Sequence, residues 1–100
     1  MAKVRCEGQE PAQGEFATVI DISASRVGLY LDREYPRGTI LLVEPLSPGA
    51  MTLLARVEQA TAEPGRWRYR CELATRLGAD EIRRWLGDIA ENLADETPSA

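Results

Sequence analysis

The stretch Thr18-Val19-Ile20-Asp21-Ile22-Ser23-Ala24-Ser25-Arg26-Val27-Gly28-Leu29-Tyr30-Leu31 holds two apolar runs separated by a short polar break. Before the break, Phe16, Ile20 and Ile22 alternate with Ala17, Val19 and Asp21; after it, Val27, Leu29 and Leu31 resume the alternation. A period of two predicts a pair of half-buried strands, Phe16 to Ile22 and Val27 to Asp32, joined at Ser23-Ala24-Ser25-Arg26. Asp21, Ser23 and Ser25 are the side chains that bond to nearby backbone groups, so the corner can satisfy its own donors. Amides gathered in such a corner also suit an anion.

Outward from the corner, the chain reads as more strands and then one helix. Lys3 to Glu7 forms a first strand with Val4 and Cys6 on one face, and Gly8 to Gly14 a loop. Arg33-Glu34-Tyr35-Pro36-Arg37-Gly38 is a turn in which proline fixes φ and glycine permits an unusual one. Thr39 to Leu46 follows, apolar on both faces at Ile40-Leu41-Leu42-Val43, which predicts cover on both sides, with the terminal helix as the candidate cover. Ser47-Pro48-Gly49 is a tight turn, Met51 to Thr61 a long strand, and Ala62-Glu63-Pro64-Gly65 a hairpin closure. Arg66 to Leu73 sends Trp67, Tyr69, Cys71 and Leu73 inward and Arg66, Arg68, Arg70 and Glu72 outward.

At Gly78 the period changes. Ile82, Trp85, Leu86, Ile89 and Leu93 recur at helical spacing, with Gly78 as N-cap and Glu81 placed for half a capping box. Gly87 costs about 1 kcal/mol relative to alanine, which marks a place for the helix to end or bend. The expected fold is all-β with one terminal helix: a small six-stranded antiparallel β-barrel closed by a C-terminal α-helix. Residues 1–94 make one domain, and 95–100 a disordered tail.

Composition narrows the function. The 100 residues carry a net charge of −4, which argues against general binding of DNA or RNA. Lys3 is the one lysine, and between residues 66 and 85 six arginines face three carboxylates. That patch is either a solvated face or a surface for planar anions. Beyond it, Asp88, Glu91, Asp95 and Glu96 stand with no cation. No apolar run reaches the roughly 20 residues of a membrane span, and no apolar leader opens the chain. The reading is therefore a cytoplasmic protein without membrane insertion, whose Cys6 and Cys71 stay reduced. Histidine is absent, which removes His-dependent triads and zinc sites. No nucleophile–base pair, metal cluster or phosphate loop is visible, so no enzyme and no required cofactor are expected.

Asp21-Ile22-Ser23 followed by Val27-Gly28-Leu29 resembles the Asp/Asn-x-Ser-x-x-Gly corner of PilZ domains. These are small bacterial β-barrels, many of which bind cyclic di-GMP. Pro36-Arg37-Gly38-Thr39-Ile40-Leu41, the run from Trp67 through Cys71-Glu72-Leu73, and Leu77-Gly78-Ala79-Asp80-Glu81-Ile82 are similar to the family's later elements, so the resemblance spans about Val4 to Leu86. It carries Asp21 and Ser23 over as binding positions, and a reduced nucleotide site would add Arg5 and Arg26.

Two departures alter that implication. Ligand-binding members carry Arg-x-x-x-Arg just before the first strand, where this chain has only Lys3 and Arg5. The motif glycine, which supplies positive φ or lets a ligand approach the backbone, falls on Arg26. The expected function is then a regulatory adaptor that binds a protein partner, with Arg66, Arg68 and Arg70 and the helix stripe as contact surfaces; the stripe also suits a homodimer. The alternative is a cyclic di-GMP effector with a reduced site or one completed by another chain. For Asp21 and Ser23 the plainer role is to tie the turn together; for Trp67 and Trp85 it is core packing, with base stacking by Trp67 the other reading.

Overall fold

The computed structural model describes residues 2–6, 8, 14–46 and 49–96; of 88–96 it describes the helix without the side chains. Six strands run β1 Ala2–Cys6, β2 Glu15–Ile22, β3 Arg26–Leu31, β4 Ile40–Pro45, β5 Leu53–Glu63 and β6 Arg66–Leu73, followed by α1 Ala79–Glu96. They form a closed antiparallel barrel in the order β1-β2-β3-β6-β5-β4. Closure comes from the chain's first strand, with Val4 opposite Val43 and Cys6 opposite Leu41. A barrel leaves no sheet edge to protect, so a short chain can bury one core without staples. Val4, Val27, Leu29, Leu31, Leu41, Val43, Val57, Tyr69 and Cys71 fill it, with Trp85 from the helix.

Two registers slip by one residue. Between β2 and β3 the slip falls between Val19 and Asp21, and between β5 and β6 between Val57 and Gln59. Each is a β-bulge, at Ile20 and Glu58, where one strand carries an extra residue. The first explains a departure from the alternation. Ala17 and Val19 are buried while Phe16 is 61% exposed, so the core face of β2 is not the one that Phe16 heads. Beyond the bulge the phase inverts, and Ile22 rejoins the core.

The hairpin between β5 and β6 is tighter than expected, reduced to Pro64-Gly65 with Gly65 at φ +77°. In the turn before β4, Gly38 has φ +91°, and its N–H donates to Val57 O. Of the sequence turns, residues 9–13 of the first loop, and Ser47 and Pro48 of the later one, lie outside the described residues; so does Glu7 of the first strand.

The helix differs from expectation in three respects. It runs through Gly87 to Glu96, because one glycine's cost does not stop a helix whose first turns are anchored. Asp95 and Glu96, assigned to the tail, are therefore helical, while 97–100 lie outside the described residues. Its neighbour in the barrel is β2 rather than β4, so Ile40 and Leu42 stay half-exposed on the outer face of β4.

Gly78 acts as N-cap, its carbonyl accepting from Ile82 N at 3.1 Å. Glu81 does not close the capping box. Its Oε2 accepts from Met51 N at 3.3 Å, while Trp85 Nε1, one turn on, donates to Met51 O at 3.0 Å. One face of the helix thus holds both polar groups of a single residue 30 or more positions away. Trp85 is fully buried, which bears out its core role; Trp67 is half-buried against the core.

Candidate functional site

The corner is built by Ser23. Its N–H donates to Arg26 O at 2.9 Å, and its Oγ accepts from Arg26 N at 3.2 Å. The carbonyls of Ala24 and Ser25 accept from Leu77 N at 2.7 Å and Leu73 N at 2.8 Å, which ties the corner to the end of β6 and the approach to α1. Ser23 therefore plays the turn-tying role. Among the described residues the amides of Ala24 and Ser25 donate to no protein acceptor. Arg26 opens β3, and no non-glycine residue among those described has positive φ, so arginine sits at the motif-glycine position without backbone strain.

Gly28 has a different task. A Cβ built on it would lie 3.0 Å from Asp21 Oδ1 and 3.2 Å from Oδ2. The missing side chain makes room for the Asp21 carboxylate to lie flat over β3. Among the described residues Asp21 makes no hydrogen bond within the turn.

Register then assembles the outer face in rows. Asp21 pairs with Gly28, Gly28 with Arg70, and Arg70 with Gln59. One outward row away, Thr18 pairs with Tyr30, Tyr30 with Arg68, and Arg68 with Thr61. On the other side Arg26 pairs with Glu72, and Glu72 with Arg56. The bulges turn Ile20 and Asp21, and Glu58 and Gln59, onto this same face. Between them lies a cleft of about 520 Å³ whose wall includes Asp21, Ser23, Arg26, Glu63, Arg68 and Arg70. A shallower hollow beside it shares Arg26, Gln59 and Arg70.

Cross-strand neighbours decide which arginines are neutralised, since directly opposed charges interact most strongly. Arg26 reaches Glu58 at 3.6 Å, Arg56 reaches Glu72 at 3.5 Å and Arg66 reaches Glu63 at 3.5 Å. The Arg66 guanidinium also covers the Tyr30 ring, 3.5 Å from its centroid. Arg68 and Arg70 are flanked by Tyr30, Thr61, Gly28 and Gln59, all uncharged. Among the described residues neither has a carboxylate within ion-pair distance. These two are the cleft's available cations, and they lie about 7 Å apart along one strand face.

The structure thus brings Asp21, Ser23 and Arg26 together with Arg68 and Arg70, joining residues that the sequence placed in separate surfaces. Arg66 stands one row beyond, at the hairpin. Arg5 lies elsewhere: its Nε is 3.1 Å from Glu44 Oε1, on the far end of β1. Register places position 5 level with residue 14, which is roughly 20 Å along β2 from Asp21. The sequence signal for grouping Arg68 and Arg70 with the corner was faint, because it depends on β3 pairing with a strand some 40 residues later.

At that far end of the barrel lies a second polar cluster. Tyr69 Oη accepts from Tyr35 N at 2.6 Å and donates to Arg33 O at 2.9 Å. Burial raises Tyr35 to about 12, with Glu15 adding to it, and burial also raises Tyr69. Cys6 is pushed up by burial, and Cys71 by burial to about 12, so neither thiol is poised as a nucleophile. Both cysteines are free. Among the described residues no group of three or more Cys, Asp or Glu side chains could hold a metal ion, and no helix is long and apolar enough to cross a membrane.

No family profile, curated protein or solved structure matches the chain.

Proposed function

We propose that this chain is a non-enzymatic regulatory adaptor of PilZ type, acting in the bacterial cytoplasm. Its cleft face binds a protein partner, and its cyclic di-GMP site is degenerate. α1 closes one end of the barrel through Trp85. The observation that carries this reading is the side-by-side position of Arg68 and Arg70 against the Asp21–Ser23 corner, with no carboxylate partner among the described residues. Arginine pairs of this kind grip carboxylates and phosphates.

A protein partner is favoured over the nucleotide for two reasons. First, the corner lacks its expected companions: Arg5 is engaged with Glu44 roughly 20 Å away. Second, no free aromatic face lines the cleft for a base to stack on. Tyr30 is covered by Arg66, and Tyr69 points into the core.

The dinucleotide reading has one observation in its favour: beside the Asp21–Ser23 corner, Arg68 and Arg70 have no carboxylate partner among the described residues. One experiment separates the two readings. Partner capture with the wild-type chain and with Arg68→Glu should differ sharply, while calorimetric titration of cyclic di-GMP stays flat. Capture indifferent to Arg68→Glu, or a saturable titration, overturns the reading.

A further inference from the structure

We propose that the cleft receives the acidic second half of α1 from another copy of this chain. The inference rests on the reading of the cleft as a protein contact, and names its partner. Three observations converge. The chain is net acidic, yet among the described residues Arg68 and Arg70 have no carboxylate partner, their row neighbours being all neutral. The helix spans 18 residues, about 27 Å, and its described anchors, Ile82, Trp85 and Glu81, all belong to its first two turns. Its remaining turns carry Asp88, Glu91, Asp95 and Glu96 without a cation.

The spacings match. Positions 91 and 95 are one turn apart on a helix, about 6 Å along its axis, and Arg68 and Arg70 are about 7 Å apart on their strand. An acidic helix laid along β6 would set two carboxylates against two guanidiniums. Within one copy, neither arginine has a carboxylate within ion-pair distance among the described residues. Two bonds fix the first turns of the helix to Met51, ahead of β5. A reciprocal pair of copies makes the same contact twice, as a two-fold dimer requires. With −4 on each copy opposing approach, the association is electrostatic, local and screened by salt.

The test is sedimentation velocity of the full chain across a concentration series, at low and at high ionic strength. A dimer is expected at low salt that dissociates at high salt. Arg68→Glu/Arg70→Glu should weaken it at least about tenfold, as should Glu91→Lys/Asp95→Lys. Combining all four changes in one chain should restore association. Restoration is a gain that unfolding cannot imitate, and far-UV circular dichroism checks each variant. A chain that stays monomeric at low salt overturns the proposal. So does a dimer indifferent to both charge reversals, or one that the fourfold variant fails to recover. A monomeric wild type that still loses a captured partner on Arg68→Glu defeats this inference alone; a partner indifferent to that change defeats the functional reading itself.

Discussion

Gly28→Ala tests how Asp21 is held. A glycine inside a strand costs about 0.5–1 kcal/mol relative to alanine, so filling the position would ordinarily stabilise the barrel. Here the new Cβ meets Asp21 Oδ1 at 3.0 Å and Cγ at 3.3 Å, closer than such contacts normally come. The carboxylate is exposed, so it can swing away, at an off-rotamer cost of about 0.5–1.5 kcal/mol. The two effects are of similar size and opposite sign. In the wild-type background the substitution should therefore be neutral or destabilising by up to about 1 kcal/mol. With Asp21→Ala already present the obstruction is gone, and Gly28→Ala should stabilise by about 0.5–1 kcal/mol. The cycle's interaction energy is then about 1 kcal/mol, within the range for touching residues. Urea titration of the four proteins at constant m-value reads it directly, as a midpoint difference on the order of 0.5 M. An effect of Gly28→Ala that is equal in both backgrounds would refute the packing of Asp21 over β3.

Four further outcomes follow from the same geometry. Trp85→Phe keeps most of the buried ring but leaves Met51 O without its donor, and should cost about 1–3 kcal/mol by urea melting. Glu81→Gln should cost clearly less, because the amide still offers an oxygen to Met51 N. Tyr69→Phe removes both the acceptor for Tyr35 N and the donor to Arg33 O, and should cost a further about 1–3 kcal/mol, seen as a lower denaturation midpoint. Alkaline pH should erode stability in a defined window. Cys71 and Tyr35 have folded values raised to about 12, above their unfolded values, so their contribution is complete below pH 9 and is lost as pH rises toward 12. Denaturation midpoints between pH 8 and 12 check this, and Cys71→Ala should flatten the part of the decline that begins near pH 9.

Local patterns made the barrel legible. Alternation, and for β4 an unbroken apolar run, located all six strands, and the change of period at Gly78 located the helix start. What the alternation could not supply was phase. An unbroken run such as Phe16 to Ile22 offers two faces, and only the bulge at Ile20, a property of two paired strands, explains why Ala17 and Val19 go inward and Phe16 outward. The bulge at Glu58 was hidden for the same reason. Gly87 offers a place for the helix to end or bend, but the helix continues through it, because the propensity of one residue is a weak term beside anchorage by Trp85. Glu81 illustrates the limit most plainly: its local signal was a capping box, and a backbone amide 30 residues away took its carboxylate instead.

The candidate site divides along the same line. Asp21, Ser23 and Arg26 were readable as a corner because their relation is local. That Arg68 and Arg70 complete the same cleft, and have no carboxylate partner among the described residues, follows from the pairing of β3, β6 and β5. Arg5 enters the reading only as a cation near where ligand-binding members of the resembled family carry their arginine pair, and register sets it toward the other end of β2 from Asp21.

The proposed function rests on a corner that resembles that of a nucleotide-binding module but lacks its arginine grip, with the cleft face given to protein contact. Calorimetric titration of the full chain with cyclic di-GMP, at low and at high ionic strength, addresses it most directly. A trace that stays flat with ligand in large excess, under both conditions, is the predicted result. A saturable isotherm that Arg68→Glu or Asp21→Ala abolishes would contradict it.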